Sequence, residues 1–427
     1  MILFRTLMTT CRAHMLLGMI ILNGCAGPLG HQAVPDSEIA AHLGTSAPLL
    51  PLFAALWRRE SGESNIIPIL QIGDSHTASD VFSGRLRELF QARFGDAGRG
   101  LLPPGIPHRY YRPARVEVAM QGWTTIPSAD IHASGPFGLA GLRQHTDGPA
   151  IMTLSGTAAG EPGTVEVEFL RQPGGGTISL EQDNVPPISI STDGQLGAAR
   201  AVAPSVAGTT AVRVRAIGDG PVDVLGWTVM RGTPGVTYSN LGTIGASVTL
   251  LDRWDATIVR AELARLSPAL IVFAFGTNEG FRDTTDPESY GARFAERLRL
   301  TQAAAPGAAV LVVGPPDGAR HRRKGDVESG DCGDPNWGTP PRLASVRAKQ
   351  RAAAQREGAF FWDWQAAMGG ACSMLRWASF SPPLAAPDHV HLLASGYRQS
   401  AESLFGTIME GYERYRTLRG APARPIS

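Results

Sequence analysis

The chain has 427 residues, 43% of them hydrophobic and 18% charged, which suffices for the cores of two domains and excludes a disordered or fibrous protein. Its 39 basic and 38 acidic residues leave a formal net charge of +1, so there is no electrostatic case for nucleic acid as a partner. Fifty glycines and 32 prolines, without a collagen-like period or a low-complexity block, indicate many turns and short strands.

Residues 1–25 read as an export signal: Arg5 and Arg12 precede the apolar stretch from Met15 to Leu22, which is too short to span a membrane. The stretch ends in Leu22-Asn23-Gly24-Cys25, which resembles a bacterial lipobox. The resemblance implies lipidation of Cys25 and attachment to the periplasmic face of a bacterial membrane through a lipid anchor. Residues 26–48, rich in small and turn-forming residues, read as a tether, and Leu49 to Arg59 as a first helix. With Cys11 in the signal and Cys25 lipidated, Cys332 and Cys372 remain. In an exported protein such a pair reads as a disulfide, contributing about 3 to 4 kcal/mol by loop entropy.

Ile66 to Ile72 is an apolar run of the kind buried on both faces of a parallel sheet. It breaks at Gly73-Asp74-Ser75-His76, where a helix is predicted to follow, capped by Ser79 or Asp80 and running to Phe94. A serine on a strand-to-helix turn lies at the carboxyl end of the sheet, where open α/β folds bind ligands. Gly95 to Gly105 reads as a glycine- and proline-rich exit.

From Arg109 to Arg231 the pattern changes to period two, as in Thr164–Phe169, Thr177–Leu180, Ile188–Ser191, Ala211–Arg215 and Val222–Val229. Gly-rich turns separate these runs at the intervals of a β-sandwich or jelly roll. Arg109, Tyr110, Tyr111, Trp123 and Trp227 are candidates for a sugar-binding surface, with burial in the β core as the commoner fate of such aromatics.

The α/β pattern returns after Thr237. Helical spacing over Thr249–Leu266, Ser289–Ala305, Leu343–Glu357 and Gly396–Leu418 alternates with buried runs at Ala269–Phe275, Ala308–Val313 and Phe360–Trp364. This order predicts an α/β fold, a parallel sheet flanked by helices, with an inserted all-β domain. The division is 1–25 signal, 26–48 tether, 49–108 first α/β part, 109–232 inserted β domain, 233–418 second α/β part and 419–427 tail.

Polar groups follow the buried strands at Ser75, at Gly276-Thr277-Asn278-Glu279 and, near the end of the chain, at Asp388-His389-Val390-His391. A serine hydroxyl needs a base oriented by a carboxylate, which His391 and Asp388, three residues apart, can supply; His389 is the rival base. Oxyanion donors are available from the Ser75 N–H, the Asn278 amide and a glycine N–H, with Gly242 and Gly245 as alternatives. No metal site stands out: His132 and His145 lack spaced partners, and the basic run Arg320 to Lys324 reads as a solvated loop.

Together these blocks resemble the SGNH, or GDSL-type, hydrolases over about 60–95 and 237–417. In that family the matching serine (Ser75), histidine (His391) and aspartate (Asp388) form the triad. Ser75, Gly245 and Asn278 correspond to the oxyanion donors, Gly245 by its place before Ala246-Ser247. His76, where many relatives have leucine, and the β insertion resemble the branch of bacterial peptidoglycan and polysaccharide O-acetylesterases. The resemblance implies no cofactor, an O-acetylated glycan as partner, and ester hydrolysis through an acyl-enzyme. An O-acetyltransferase using the same residues, a non-catalytic glycan-binding lipoprotein and a lipid esterase are the rival expectations.

Overall fold

The structure, a computed structural model, describes residues 36–156, 163–322 and 332–421. The expected export signal and lipidated Cys25 lie outside them. Six parallel strands form the central sheet in the order Phe360–Trp362, Ala309–Val313, Leu270–Ala274, Ile66–Gly73, Gly235–Gly242 and Asp96–Gly98. Successive side chains alternate between its faces. Ile67 and Ile69 enter a core with helices Leu50–Glu60, Phe82–Phe94 and Ala394–Leu418, while Leu70 and Ile72 join one with Ala256–Leu266, Pro287–Ala304 and Leu343–Arg356. Both faces are covered, which is why these strands read as unbroken apolar runs. Polar exceptions are Thr237, Ser239 and Asn240 in Gly235–Gly242 and, in Ile66–Gly73, Gln71, fully buried, whose amide donates to Thr77 Oγ1 (2.9 Å) and accepts from the Tyr238 hydroxyl (2.7 Å).

The insertion is a sandwich of a five-stranded and a six-stranded sheet. Met152, Leu154, Val167, Phe169, Leu180, Val214 and Trp227 meet between them. Its boundary differs from the one expected at Arg109: Gly100–Leu102, read as a loop, is a strand pairing with Trp227–Val229. Three residues with a glycine are too few to show alternation. Trp227 and Trp123 are core residues, and the Tyr111 hydroxyl is enclosed. Of the five sugar-surface candidates, Arg109 and Tyr110 are exposed, with the Arg109 guanidinium 4.4 Å above the Tyr110 ring.

Two local expectations fail for identifiable reasons. Asp80 does not cap the following helix; its carboxylate is drawn inward by Arg87 and Arg99, both at 2.7 Å, and Val81 precedes the helix without a side-chain cap. The predicted helix over Thr249–Leu266 is a 3-10 turn, Val248–Arg253, and a new helix from Ala256, because Asp255 caps the latter through the N–H groups of Thr257 and Ile258.

The tether also needs correction. Asp36–Leu43 is a helix and Gly44–Leu49 a 3-10 turn, and Ile39, Leu43 and Leu49 are fully buried in the core shared with Ala394–Leu418. Ile39 and Leu43 are four apart and share a helix face, a signal hidden among small residues. Leu43→Ala is expected to cost about 2–5 kcal/mol in denaturant unfolding; a free tether predicts no change.

Candidate active site

The register of the sheet assembles the site. Gly73 pairs with Gly242 on one side and Ala274 on the other, so the chain leaves three adjacent strands at one edge as the Ser75 turn, the 243–247 loop and the Thr277–Phe281 turn. At Gly73 a Cβ would sit 2.4 Å from Thr77 Oγ1 and 2.5 Å from Ala274 O, so only glycine lets the serine turn fold back so tightly. Asp74 caps this turn, accepting the His76 N–H (3.0 Å).

The loop before the last helix brings the other two groups. Asp388 Oδ1 accepts the N–H groups of Val390 and His391, each at 2.9 Å, a short local turn that leaves Oδ2 for His391 Nδ1 at 2.7 Å. A carboxylate only accepts, so Nδ1 carries the hydrogen and Nε2 is left to accept from Ser75 Oγ, 2.9 Å away. Partial burial pushes the Asp388 carboxyl up, but the hydrogen bonds from the His391 ring and from the two N–H groups outweigh it and hold it below the usual value. His389, the rival base, points elsewhere. It adopts φ +53° and its ring meets Trp337, with centroids 4.0 Å apart.

His76 lies beneath the triad histidine, ring centroids 5.2 Å apart, with Nδ1 2.9 Å from the Tyr397 hydroxyl. Burial, and then the neighbouring His391, push its pKa down to about 3, so it is a neutral packing partner.

On the other side, the two candidate glycines separate. Gly242 N–H is committed to Asn240 Oδ1 (3.0 Å), and a Cβ there would strike the Ala78 backbone at 2.2 Å. Gly245 is exposed at φ +73°, with no backbone acceptor for its N–H among the described residues. Asn278 Nδ2 donates to Ala246 O (2.8 Å), which ties the Gly245 loop to the asparagine turn and leaves the second amide hydrogen for another acceptor.

Several neighbours escaped the sequence reading because they join distant segments. A two-stranded hairpin, Arg320–His321 with Trp337–Gly338, places Trp337 between His321 (4.0 Å) and His389. Ala319 N–H also donates to His389 O (2.9 Å). The Cys332–Cys372 disulfide, expected from the sequence, joins this hairpin region to the helix Ser373–Ala378.

Under the serine turn, burial pushes the Asp74 carboxyl up to about 7, and the charge of nearby Glu279 adds to the effect. A carboxyl whose pKa rises on folding favours the folded state below its unfolded value and loses that contribution as pH rises to about 7. Asp74→Asn keeps an oxygen for the His76 N–H and removes the charge. Its melting temperature, relative to the unsubstituted protein, should therefore be higher at about pH 8 than at about pH 5 in scanning calorimetry; an offset that does not change with pH counts against a buried, titrating Asp74.

The GDSL-like Lipase/Acylhydrolase family matches residues 206–399, a span that includes Gly245, Asn278, Asp388 and His391 but not Ser75, which lies before the β insertion. A solved structure of a peptidoglycan O-acetylesterase is similar over 87% of this chain and 97% of its own, at 29% identity and a TM-score of 0.71. A family two carbohydrate esterase from Cellvibrio japonicus also aligns, at 14% identity, covering 73% of this chain and 98% of its own, with a TM-score of 0.27. No curated protein matches the sequence.

Proposed function

We propose, from the match of residues 206–399 to the GDSL-like Lipase/Acylhydrolase family, that the chain is a serine esterase removing O-acetyl groups from peptidoglycan or a related cell-envelope polysaccharide. The observation that carries this reading is the hydrogen-bonded line from Ser75 Oγ through His391 to Asp388, at 2.9 and 2.7 Å. The similarity to a peptidoglycan O-acetylesterase supports the substrate class.

In this reading Ser75 Oγ bonds to the acetyl carbonyl carbon as its proton passes to His391 Nε2. The sugar oxygen leaves with that proton, giving an acetyl-enzyme and a free hydroxyl. Water then attacks, His391 takes its proton and returns it to Ser75, and acetate departs. Asp388, kept ionised by its hydrogen bonds, steadies the imidazolium in both halves. The N–H groups of Ser75 and Gly245 and the free Asn278 amide hydrogen receive the charge that develops on the carbonyl oxygen, each worth about a hundred- to a thousandfold in turnover.

Hydrolysis is favoured over acetyl transfer by the openness of the site: the His391 and Asp388 side chains are 40% and 49% exposed, so water reaches the acyl-enzyme. Glycan binding without catalysis gives no reason for so complete a hydrogen-bonded triad. Export and lipidation at Cys25, facing the periplasm, fit a cell-envelope substrate and rest on the sequence alone.

Acetate release from O-acetylated peptidoglycan should fall at least about a thousandfold in Ser75→Ala. Full turnover by that variant on this substrate and on a small acetyl ester excludes Ser75 as nucleophile. Adding a deacetylated glycan acceptor should leave the acetate yield unchanged; acetylated acceptor appearing at its expense identifies a transferase.

A further inference from the structure

We propose that Glu279 is a positioning residue for the oxyanion donors, holding the Gly245 loop against the asparagine turn, an inference that rests on the esterase reading of Ser75.

The tip of the loop has little packing of its own, whereas Ala246 and Val248 at its far end are buried in the core. Ile244 is 46% exposed, Gly245 is exposed, and a Cβ at Gly245 would meet nothing within 4 Å. Its location depends on backbone tethers. Thr243 N–H donates to Gly73 O at 2.9 Å, fixing the near end, and Ala246 N–H donates back to Thr243 O at 3.2 Å, closing the turn. The far end is held from the turn Thr277–Phe281 by two side chains: Asn278 Nδ2 donates to Ala246 O at 2.8 Å, and Glu279 Oε1 accepts the Val248 N–H at 2.7 Å. These clamps lie on either side of Ser247, immediately after Gly245.

Asn278 has its second amide hydrogen to give to the oxyanion, so its bond to Ala246 alone cannot set both the loop and its own orientation. Glu279 touches no reacting atom and is free to act as the fixed post. Only 4% exposed, it is one of the few acidic side chains buried in the α/β part. Its other oxygen, Oε2, is enclosed and has no hydrogen-bond partner. Burial of an acidic group with one unsatisfied oxygen is costly, and an apolar side chain in its place would leave the Val248 N–H without its acceptor. What the glutamate returns for that cost is a short bond to one backbone N–H at the end of the oxyanion loop. Preorganised donors accelerate a reaction only while they are held in place, so loosening this post removes transition-state stabilisation and leaves ground-state binding of the ester nearly untouched.

The test is steady-state hydrolysis of p-nitrophenyl acetate and of O-acetylated peptidoglycan by the full chain. Glu279→Ala should lower kcat about ten- to a hundredfold on both substrates, with KM within about threefold. Glu279→Gln, whose amide oxygen accepts the same N–H, should restore most of the loss. Val248→Pro removes the donated N–H itself, at the first residue of a 3-10 turn and after a Ser247 already extended (φ −111°, ψ 168°), and should reproduce the fall in kcat. Glu279→Ala with kcat within about twofold of the unsubstituted protein overturns the inference while Ser75→Ala remains inactive and the esterase reading stands. So does a Gln variant as slow as the Ala variant at an unchanged melting temperature. Turnover by Ser75→Ala removes the esterase reading itself.

Discussion

The close approach of three strands at Gly73 is the constraint on which the rest of the structure depends. Its neighbours in register are Gly242 and Ala274, and a Cβ at any of several points here would strike backbone: at Gly73 the Ala274 carbonyl, at Gly242 the Ala78 N–H. Glycine is therefore required for a geometric reason, and turn propensity is secondary. Because the three chains part at the same level, a serine, a glycine N–H and an asparagine amide emerge from neighbouring strands without any long loop to order. The parallel sheet does this at its carboxyl edge, where the helices that follow begin.

Around that junction the polar side chains are buried and paired, and they link the junction to the insertion. Asp80, five residues beyond Ser75, holds Arg87 and Arg99 and accepts the Ala114 N–H (3.0 Å) and an Asn240 amide hydrogen (3.1 Å). Burial pushes its carboxyl up, but the two arginines overcome this and keep it ionised. Arg99, with burial and Arg87 both against its charge, is pushed down to about 10 and remains a cation at neutral pH. Both guanidinium groups also donate to Tyr238 O at 3.0 Å, so a single carbonyl on the strand beside Ile66–Gly73 is fixed from two directions. Replacing such a network with apolar groups need not reduce stability. Its effect is specificity: the serine helix, the Gly235–Gly242 strand and the start of the sandwich take one mutual arrangement.

Much of this was legible in the sequence, and the reasons are physical. Strands covered on both faces must be apolar throughout, so Ile66–Gly73, Leu270–Ala274 and Ala309–Val313 declared themselves, and the long helices did so by their 3.6-residue stripe. Ser75, Asp388 and His391 were legible because their chemistry demands those residue types at strand ends and in a tight loop. What was missed depends on contacts between distant positions. Gly100–Leu102 is a strand only because Trp227–Val229 accepts it, and Asp80 fails to cap because two arginines, 7 and 19 residues on, outcompete a helix N-terminus. Residues 36–48 resemble a tether until the last helix is there to bury Ile39 and Leu43. The choice between Gly242 and Gly245 was open for the same reason: only the fold shows that Asn240 already occupies the first.

The sandwich interrupts the α/β chain between the serine and the other site residues without separating them in space, and the way it is docked explains how. Its ends return to adjacent strands of the same sheet, Asp96–Gly98 and Gly235–Gly242, which are themselves paired. Its flank is bound to the helix Ala256–Leu266 by Arg265, which reaches Glu166 at 2.6 Å and Glu168 at 3.4 Å, and by Glu262, which accepts the Leu139 N–H at 2.7 Å. Burial raises the pKa of both Glu168 and Glu262, and the charge of Glu168 pushes Glu262 further up, so the pair tends to hold a proton. These contacts sit against the helix that follows the Gly245 loop and its 3-10 turn. The insertion therefore braces the oxyanion side of the site, whereas the Asp388–His391 loop on the other side is braced by the Trp337 hairpin and the last helix. His391, whose side chain is 40% exposed, lies between these two supports.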